Sequence, residues 1–201
     1  LDLGSTSIKA ALMDSSGNLA CIVSRPAPVI NGQRGRYESD ALQYVETADQ
    51  VLAQCLASTD PKPPLGLCSQ RSSFLIWDNA SGQPVTPLIS WQDDRGASCC
   101  DQLHASASII QSKTGLRLTP YYLAPKLSVL LQQNPLWRQK LITGEWLADT
   151  LDTFLIWRWT DKQYFITDAS MAARTLLVDI HQQQWSEDLC KLFDIPRSIL
   201  P

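Results

Sequence analysis

Ten residues, Leu1-Asp2-Leu3-Gly4-Ser5-Thr6-Ser7-Ile8-Lys9-Ala10, combine the residue types that handle phosphate. An apolar residue and an acid lead into a glycine, small hydroxyl residues and then a cation. Gly4 lets the backbone approach an anion closely. The amide N–H groups and hydroxyls of Ser5 and Thr6 can point at phosphate oxygens. Asp2 can hold a metal ion that bridges those oxygens, and Lys9 can neutralise the remaining charge. The G-x-x-x-x-G-K-[ST] spacing of a Walker loop is absent. Taken alone, the decapeptide serves equally as a tight turn with Asp2 and Lys9 in water.

Three later segments carry further candidates. Ser69-Gln70-Arg71-Ser72-Ser73 follows the apolar run Leu65–Cys68, and Ser90-Trp91-Gln92-Asp93-Asp94-Arg95 ends another. Thr119-Pro120-Tyr121-Tyr122 precedes a helix. Strand ends are where α/β sheets collect ligands. Arg71 offers several fixed donors to hydroxyl oxygens, with a surface ion pair as the plainer role. Trp91 can cover the apolar carbon face of a ligand, although seven Trp are scattered here and most Trp fill cores. Tyr121 offers a ring face and a hydroxyl, or simply packs. The pair Asp93 and Asp94 reads as a solvated helix N-terminus rather than an acid–base couple. His104 and His181 sit in no nucleophilic triad.

The elements that must position these residues are readable in outline. Leu1–Leu3, Ile8–Met13 and Leu19–Val23 are predicted as a meander of strands, with the turn Asp14-Ser15-Ser16-Gly17-Asn18 inside it. Residues 25–37, rich in Pro, Gly and Arg, are expected as loop. Ser39 and Asp40 offer N-caps for a helix to about Leu56, whose apolar residues follow helical spacing. After the break Asp60-Pro61-Lys62-Pro63-Pro64, Leu65–Cys68 is expected as a short buried strand. Ser73–Trp77 and Pro87–Trp91 are two more, joined through Asn79-Ala80-Ser81-Gly82. Helices are expected from about Asp94, from about Ala124 with Leu127, Leu130 and Leu131 inward, over Glu145–Trp159, and after the cap Ser186. Such a pattern predicts an α/β fold with a mixed sheet.

Composition narrows the classes. The 201 residues are 44% hydrophobic and 18% charged, enough apolar content for a sizeable core. A net charge of -3 gives no reason to expect nucleic acid or an anionic membrane as partner. No apolar run reaches the ~18 residues of a spanning helix. Among the six cysteines none forms a C-x-x-C pair, which argues against zinc. Cys55 and Cys68 are expected as buried thiols of a reducing, cytoplasmic protein. The sequence begins inside a strand without an initiator Met, so it is expected to be a piece of a longer chain.

In their order and spacing these segments resemble the FGGY carbohydrate kinases, and the glycerol kinase branch most of all. Leu1–Ala10 resembles the first phosphate motif of that family. Cys68–Asp78 and Ile89–Arg95 resemble its substrate-loop strand and the motif after it. Thr114-Gly115-Leu116 through Pro120-Tyr121 and Lys126-Leu127, Thr167-Asp168 through Ala173-Arg174-Thr175, and Trp185–Pro201 keep the family's order. The resemblance implies a ribonuclease H-like (actin-like ATPase) domain, a mixed β-sheet flanked by helices, with residues 1–201 forming most of the N-terminal domain. It implies ATP and Mg²⁺ as cofactors and a small-molecule polyol or sugar as substrate, a homodimer being left open. Asp2, Gly4, Ser5, Thr6 and Lys9 match the motif near the transferred phosphate and its metal. Arg71, Trp91 and Tyr121 match polyol contacts, and Ser72, expected among the substrate contacts with them, stands where glycerol kinases carry a Glu that grips two hydroxyls. Asp168, Ser170 and Arg174 match a motif read as structural. The family's catalytic base is an Asp in a Gly-Asp-Gln motif, and no Gly-Asp pair occurs in these residues, so no turnover is expected of them alone. The rival readings are a non-catalytic ligand-binding module of the same fold and an actin- or chaperone-like ATPase.

Overall fold

The computed structural model describes residues 1–201. Its first layer is a four-stranded sheet of order β3-β2-β1-β6, built from β1 (Asp2–Leu3), β2 (Ser7–Met13), β3 (Leu19–Pro26) and β6 (Cys68–Ser69). β1 runs antiparallel to β2 and parallel to β6, so the sheet is mixed. The turn between β2 and β3 closes on Asp14, whose carboxylate accepts the N–H groups of Ser16 and Asn18.

Residues 25–37 are not a plain loop. They contain β4 (Asn31–Gln33) and the first half of β5 (Arg36–Ser39), a hairpin that extends a second sheet. Pro28 precedes this hairpin, Gly35 forms its turn and Gly32 sits within β4, where pairing supplies what local propensity lacks. That second sheet has the order β4-β5-β8-β7-β9, with β7 (Phe74–Asp78), β8 (Leu88–Ile89) and β9 (Trp146–Thr150).

Helix α1 (Ala41–Cys55) starts where its cap predicts. Asp40 accepts the N–H groups of Leu42 and Gln43, and Ala41, Tyr44, Val45, Ala48, Val51 and Cys55 face the first sheet. After β8 come α2 (Ala97–Gln102), α3 (Ala107–Thr114), α4 (Leu123–Gln133) and α5 (Pro135–Ile142). The expected helix over Glu145–Trp159 is half strand. Residues 146–150 pair with β7 from Asp78↔Trp146 to Phe74↔Thr150, and only then does α6 (Leu151–Trp159) begin. The chain ends with α7 (Ala169–Ala173), the hairpin β10 (Val178–Asp179) and β11 (Gln184–Trp185), and α8 (Glu187–Leu192), capped by Ser186 as expected.

Strand β7 separates two apolar clusters. Because side chains alternate along a strand, Phe74 and Ile76 enter one cluster with α4 and α8, while Leu75 and Trp77 enter the other with α1 and α6. Trp77 packs on Phe154 and Trp157 at ring separations of 5.1 and 5.8 Å. A strand buried on both faces holds the second sheet rigidly in the middle of the molecule. The thiols divide: Cys55, Cys99 and Cys190 are buried, whereas Cys21 and Cys68 are exposed, against the expectation for Cys68. Leu65 is exposed as well, so the strand expected at Leu65–Cys68 shrinks to an edge strand open on one side.

Asp149 closes β9 from inside the protein. Its Oδ1 accepts the N–H of Thr150 at 2.6 Å, Oδ2 has no partner, and burial pushes its pKa up to about 7. An acid whose folded pKa lies above its unfolded value near ~3.9 keeps its proton longer when folded. Its contribution to stability is therefore lost as pH rises from about 4 to about 7. Asp149→Asn removes that titration. In thermal unfolding the variant should gain on the parent progressively across this window, and a constant difference from pH 4.5 to pH 8 would refute the assignment.

Candidate functional site

The parallel neighbours β1 and β6 end side by side, and the two candidate loops leave the sheet from those ends. Asp2 pairs with Cys68 and Leu3 with Ser69; the N–H of Gln70 then donates to the Leu3 carbonyl at 2.9 Å. Gly4–Thr6 and Gln70–Ser73 are thereby placed next to each other.

The first loop is a tight connection from β1 to β2. Leu3 and Ile8 pair and are buried, while Asp2 and Lys9 form the next pair and stay exposed. The carboxylate and the ammonium group therefore stand on the same, open face of adjoining strands. At Gly4 an added Cβ would sit 2.8 Å from the Ser7 carbonyl oxygen, closer than side chains tolerate, so the turn requires glycine. The Gly4 carbonyl accepts the Tyr44 hydroxyl, and the Thr6 carbonyl accepts the Ala27 N–H at 3.0 Å. With these carbonyls anchored, the N–H groups of Gly4, Ser5 and Thr6 have no acceptor in the chain and remain free for an anion.

The second loop joins the two sheets. Arg71 is exposed at the rim of a cavity of about 440 Å³ that Ser69, Asp152, Thr167, Asp168 and Ser170 also line. Asp152 is buried; its Oδ2 accepts the Thr167 hydroxyl, Oδ1 is unpartnered, and burial raises its pKa. Trp91 and Tyr121 do not line this cavity. They stack on each other at 5.4 Å and 46°, and Tyr121 meets Tyr122 edge-on at 5.0 Å. The Arg174 guanidinium covers both tyrosines, 5.1 Å from the Tyr122 ring centre.

Ser72 departs from its expected role. It lies in the left-handed region at φ +67° and is 1% exposed. Its hydroxyl donates to the Arg174 carbonyl at 3.1 Å rather than facing the cavity. The residue thus turns the chain between the sheets and ties the loop to the aromatic wall; it does not present a hydroxyl to a ligand. Asp93 needs a similar correction. It is not solvated but 1% exposed, and it holds the Arg95 Nε at 2.7 Å and the Tyr37 N–H at 2.8 Å. Burial works against its charge, yet these donors prevail and keep its carboxyl below the usual range. The helix expected from Asp94 starts at Ala97. Asp94 alone of the pair is exposed. Asp168 behaves as expected, capping α7 through the N–H groups of Ser170 and Met171. His104 and His181 lie on α3's side of the molecule, His181 against the Ser112 carbonyl, away from the loops.

Sequence reasoning missed four supporting residues. Tyr44 and Gln70 meet at 3.1 Å beneath the first loop, Ser73 joins Gln70 at 2.9 Å, and Lys126 lies beneath the second. Lys126 is fully buried, and burial pushes its pKa down to about 7. Its Nζ donates to the carbonyls of Ser72 at 3.1 Å and Ser90 at 2.8 Å, clamping the strand-end segments that carry Arg71 and Trp91. One signal was available: a lysine within the otherwise apolar stretch Leu123–Leu131 must find buried acceptors.

A glycine turn with free amides and a loop tipped by an exposed arginine leave adjoining strand ends of a mixed sheet, and that sheet with its flanking helices is an actin-like ATPase domain. The family comparison makes this specific: residues 1–201 match the N-terminal domain of the FGGY family of carbohydrate kinases, and the chain belongs to that family. It is 38% identical to an apulose kinase of Pectobacterium atrosepticum and 36% identical to a glycerol kinase of Burkholderia multivorans, in each case over 100% of the chain and 41% of the relative. Among solved structures it resembles Plasmodium falciparum glycerol kinase with ADP, at TM-score 0.91 and 29% identity over 100% of this chain and 41% of that one. A gluconate kinase of Lactobacillus acidophilus shares the fold at TM-score 0.84. The chain therefore spans about two-fifths of the length of the relatives it matches.

Lys126→Met removes the donor to two buried carbonyls while keeping the volume. At about 1–3 kcal/mol for each orphaned group, it should lower unfolding stability by about 3 kcal/mol. Chemical denaturation checks this, and a loss under about 0.5 kcal/mol would show that the clamp is not needed.

Proposed function

We propose that the protein containing this chain transfers the γ-phosphoryl group of ATP to a hydroxyl of a polyol or sugar. The observation that carries this reading is the parallel pairing of β1 with β6. It sets the free amides of Gly4–Thr6 beside the Arg71 loop, so that a phosphate and a hydroxylated acceptor would meet at one sheet edge. Membership of a kinase family agrees with it.

The chain's own residues divide the work. The free N–H groups of Gly4, Ser5 and Thr6 receive phosphoryl oxygens, and Lys9 balances their charge from the open face. These groups are held before any ligand arrives, because the carbonyls of Gly4 and Thr6 are anchored. Arg71 donates to acceptor hydroxyls from an unpaired, exposed guanidinium. Trp91 and Tyr121 stand outside the Arg71 cavity; they give the acceptor an apolar wall where it extends beyond that cavity, excluding water, the competing nucleophile. Nothing in residues 1–201 is assigned as the base that takes the acceptor's proton, nor as the adenosine site.

Asp2 is the residue that would hold Mg²⁺. Its carboxylate is exposed on the open face of the sheet, two residues before the free amides, and an oxygen ligand so placed fits a hard cation that keeps most of its waters. When bound, the ion supplies neutralisation of phosphate charge. No helix is long and apolar enough to cross a membrane.

Residue 72 is a serine that faces inward, so the position after Arg71 offers the acceptor no carboxylate, which favours a larger or differently oriented polyol or sugar over glycerol. An ATP-coupled assay of the whole protein against glycerol, xylulose, ribulose and gluconate tests this; no turnover of any such compound would favour a ligand-sensing module. In the same assay Asp2→Ala should lower kcat about 100-fold, and Arg71→Ala should raise the acceptor KM at least about tenfold. Unchanged constants would remove these residues from the site.

A further inference from the structure

Beneath the two loops runs an unbroken line of hydrogen bonds. The Trp91 N–H donates to the Ser73 hydroxyl oxygen at 3.0 Å. That hydroxyl donates to Gln70 Oε1 at 2.9 Å, and Gln70 Nε2 donates to the Tyr44 hydroxyl at 3.1 Å. The Tyr44 hydroxyl donates to the Gly4 carbonyl. The line begins under the aromatic wall and ends in the phosphate-type turn. Tyr44 and Ser73 are 1% and 0% exposed, so water does not substitute for their partners.

Both ends are backbone groups of fixed polarity. Trp91 N–H can only donate and Gly4 C=O can only accept, so every proton in between must point the same way. The Ser73 proton has to go to Gln70, which places Oε1 there and leaves Nε2 for Tyr44. The phenol proton is then committed to Gly4. No member can reverse without leaving a buried group unpaired, and aligned bonds of this kind strengthen one another. Burial also raises the Tyr44 pKa, which keeps the phenol neutral and able to donate.

We infer that Tyr44, Gln70 and Ser73 form a one-way relay that holds the phosphate turn and the acceptor wall in mutual register, making them positioning residues for phosphoryl transfer. The inference rests on the proposed kinase function. A register error of about 1 Å between reacting groups can cost about 100-fold in rate, so a rigid link between the loops has a direct kinetic effect. None of the three side chains needs to touch a substrate.

The most informative variant is Gln70→Glu, which keeps the shape but can only accept. It takes the protons of both Ser73 and Tyr44 and strips Gly4 of its donor. Measured on the whole protein, Tyr44→Phe should lower kcat about tenfold with the acceptor KM within about twofold. Ser73→Ala should raise the acceptor KM about fivefold. Gln70→Glu, which still accepts from Ser73 but strips Gly4 of its donor, should show the kcat effect without the KM effect, and adding Tyr44→Phe to it should cost no more than a further twofold. Variants that lower only the melting temperature, with kcat and KM unchanged, would overturn the relay, as would losses that multiply in the double variant. If the parent protein phosphorylates no polyol or sugar, the kinase reading fails by itself. The relay is then read from amide hydrogen exchange. Exchange at Ala27, whose N–H holds the Thr6 carbonyl of the turn, at least about tenfold faster in Gln70→Glu, with Trp91 unaffected, supports it, and unchanged exchange at Ala27 refutes it.

Discussion

Strands β1 and β6 are two residues each, yet their parallel pairing governs the rest of the arrangement. The Cys68 N–H donates to the Leu1 carbonyl and the Gln70 N–H to the Leu3 carbonyl, which aligns the two strand ends in direction and height. Parallel strands cannot be joined by a hairpin; the connection here uses β2, β3, the β4–β5 hairpin and α1. Those elements are not idle. They return α1 across the first sheet so that Tyr44 comes up under Gly4, and they supply the strand pairing that carries the second sheet.

From that alignment, support spreads in two directions. On one side the Gly4 turn is fixed by its carbonyls, which leaves its amides outward. On the other the chain leaves β6, reverses at the left-handed Ser72 and enters β7, the strand buried on both faces. Lys126 holds this reversal against Ser90, and the Ser72 hydroxyl holds it against Arg174. The loop that carries Arg71 therefore has an exposed charged tip on a root in which nearly every polar atom is spent. Such a division suits a group that must be precise in position and open to a ligand.

Much of the framework was legible because it is local. Asp40 and Ser186 cap their helices, Asp14 closes its turn, and the apolar spacing from Ala41 to Cys55 marks the buried face of α1. What escaped depended on partners distant in the chain. Glu145–Thr150 has no strong breaker and reads as helix until β7 offers it a full antiparallel ladder. Asn31–Ser39 has turn composition, but β8 pairs with Glu38 and Ser39 and draws it into a sheet. Asp93 reads as solvated beside Asp94; only the fold buries it against the Tyr37 amide and brings Glu38 to its partner Arg95.

The glycine turn, the family and the residue types at the strand ends are readable in the string of residues alone. These depend on short spacings, a required glycine, and motif order, all of which survive in a linear string. The tertiary structure alone decided that the Gly4 amides are free, that Ser72 faces inward, that Arg71 and the Trp91–Tyr121 pair line different surfaces, and that Tyr44, Gln70 and Ser73 connect them. Each of those outcomes is a choice among hydrogen-bond partners 3 to 102 positions apart. Burial makes that choice binding, since a polar group removed from water must take whichever partner the packing brings within reach. Leu1–Ala10 thus supplies a tight turn and its residue types, and the fold sets what stands beside them.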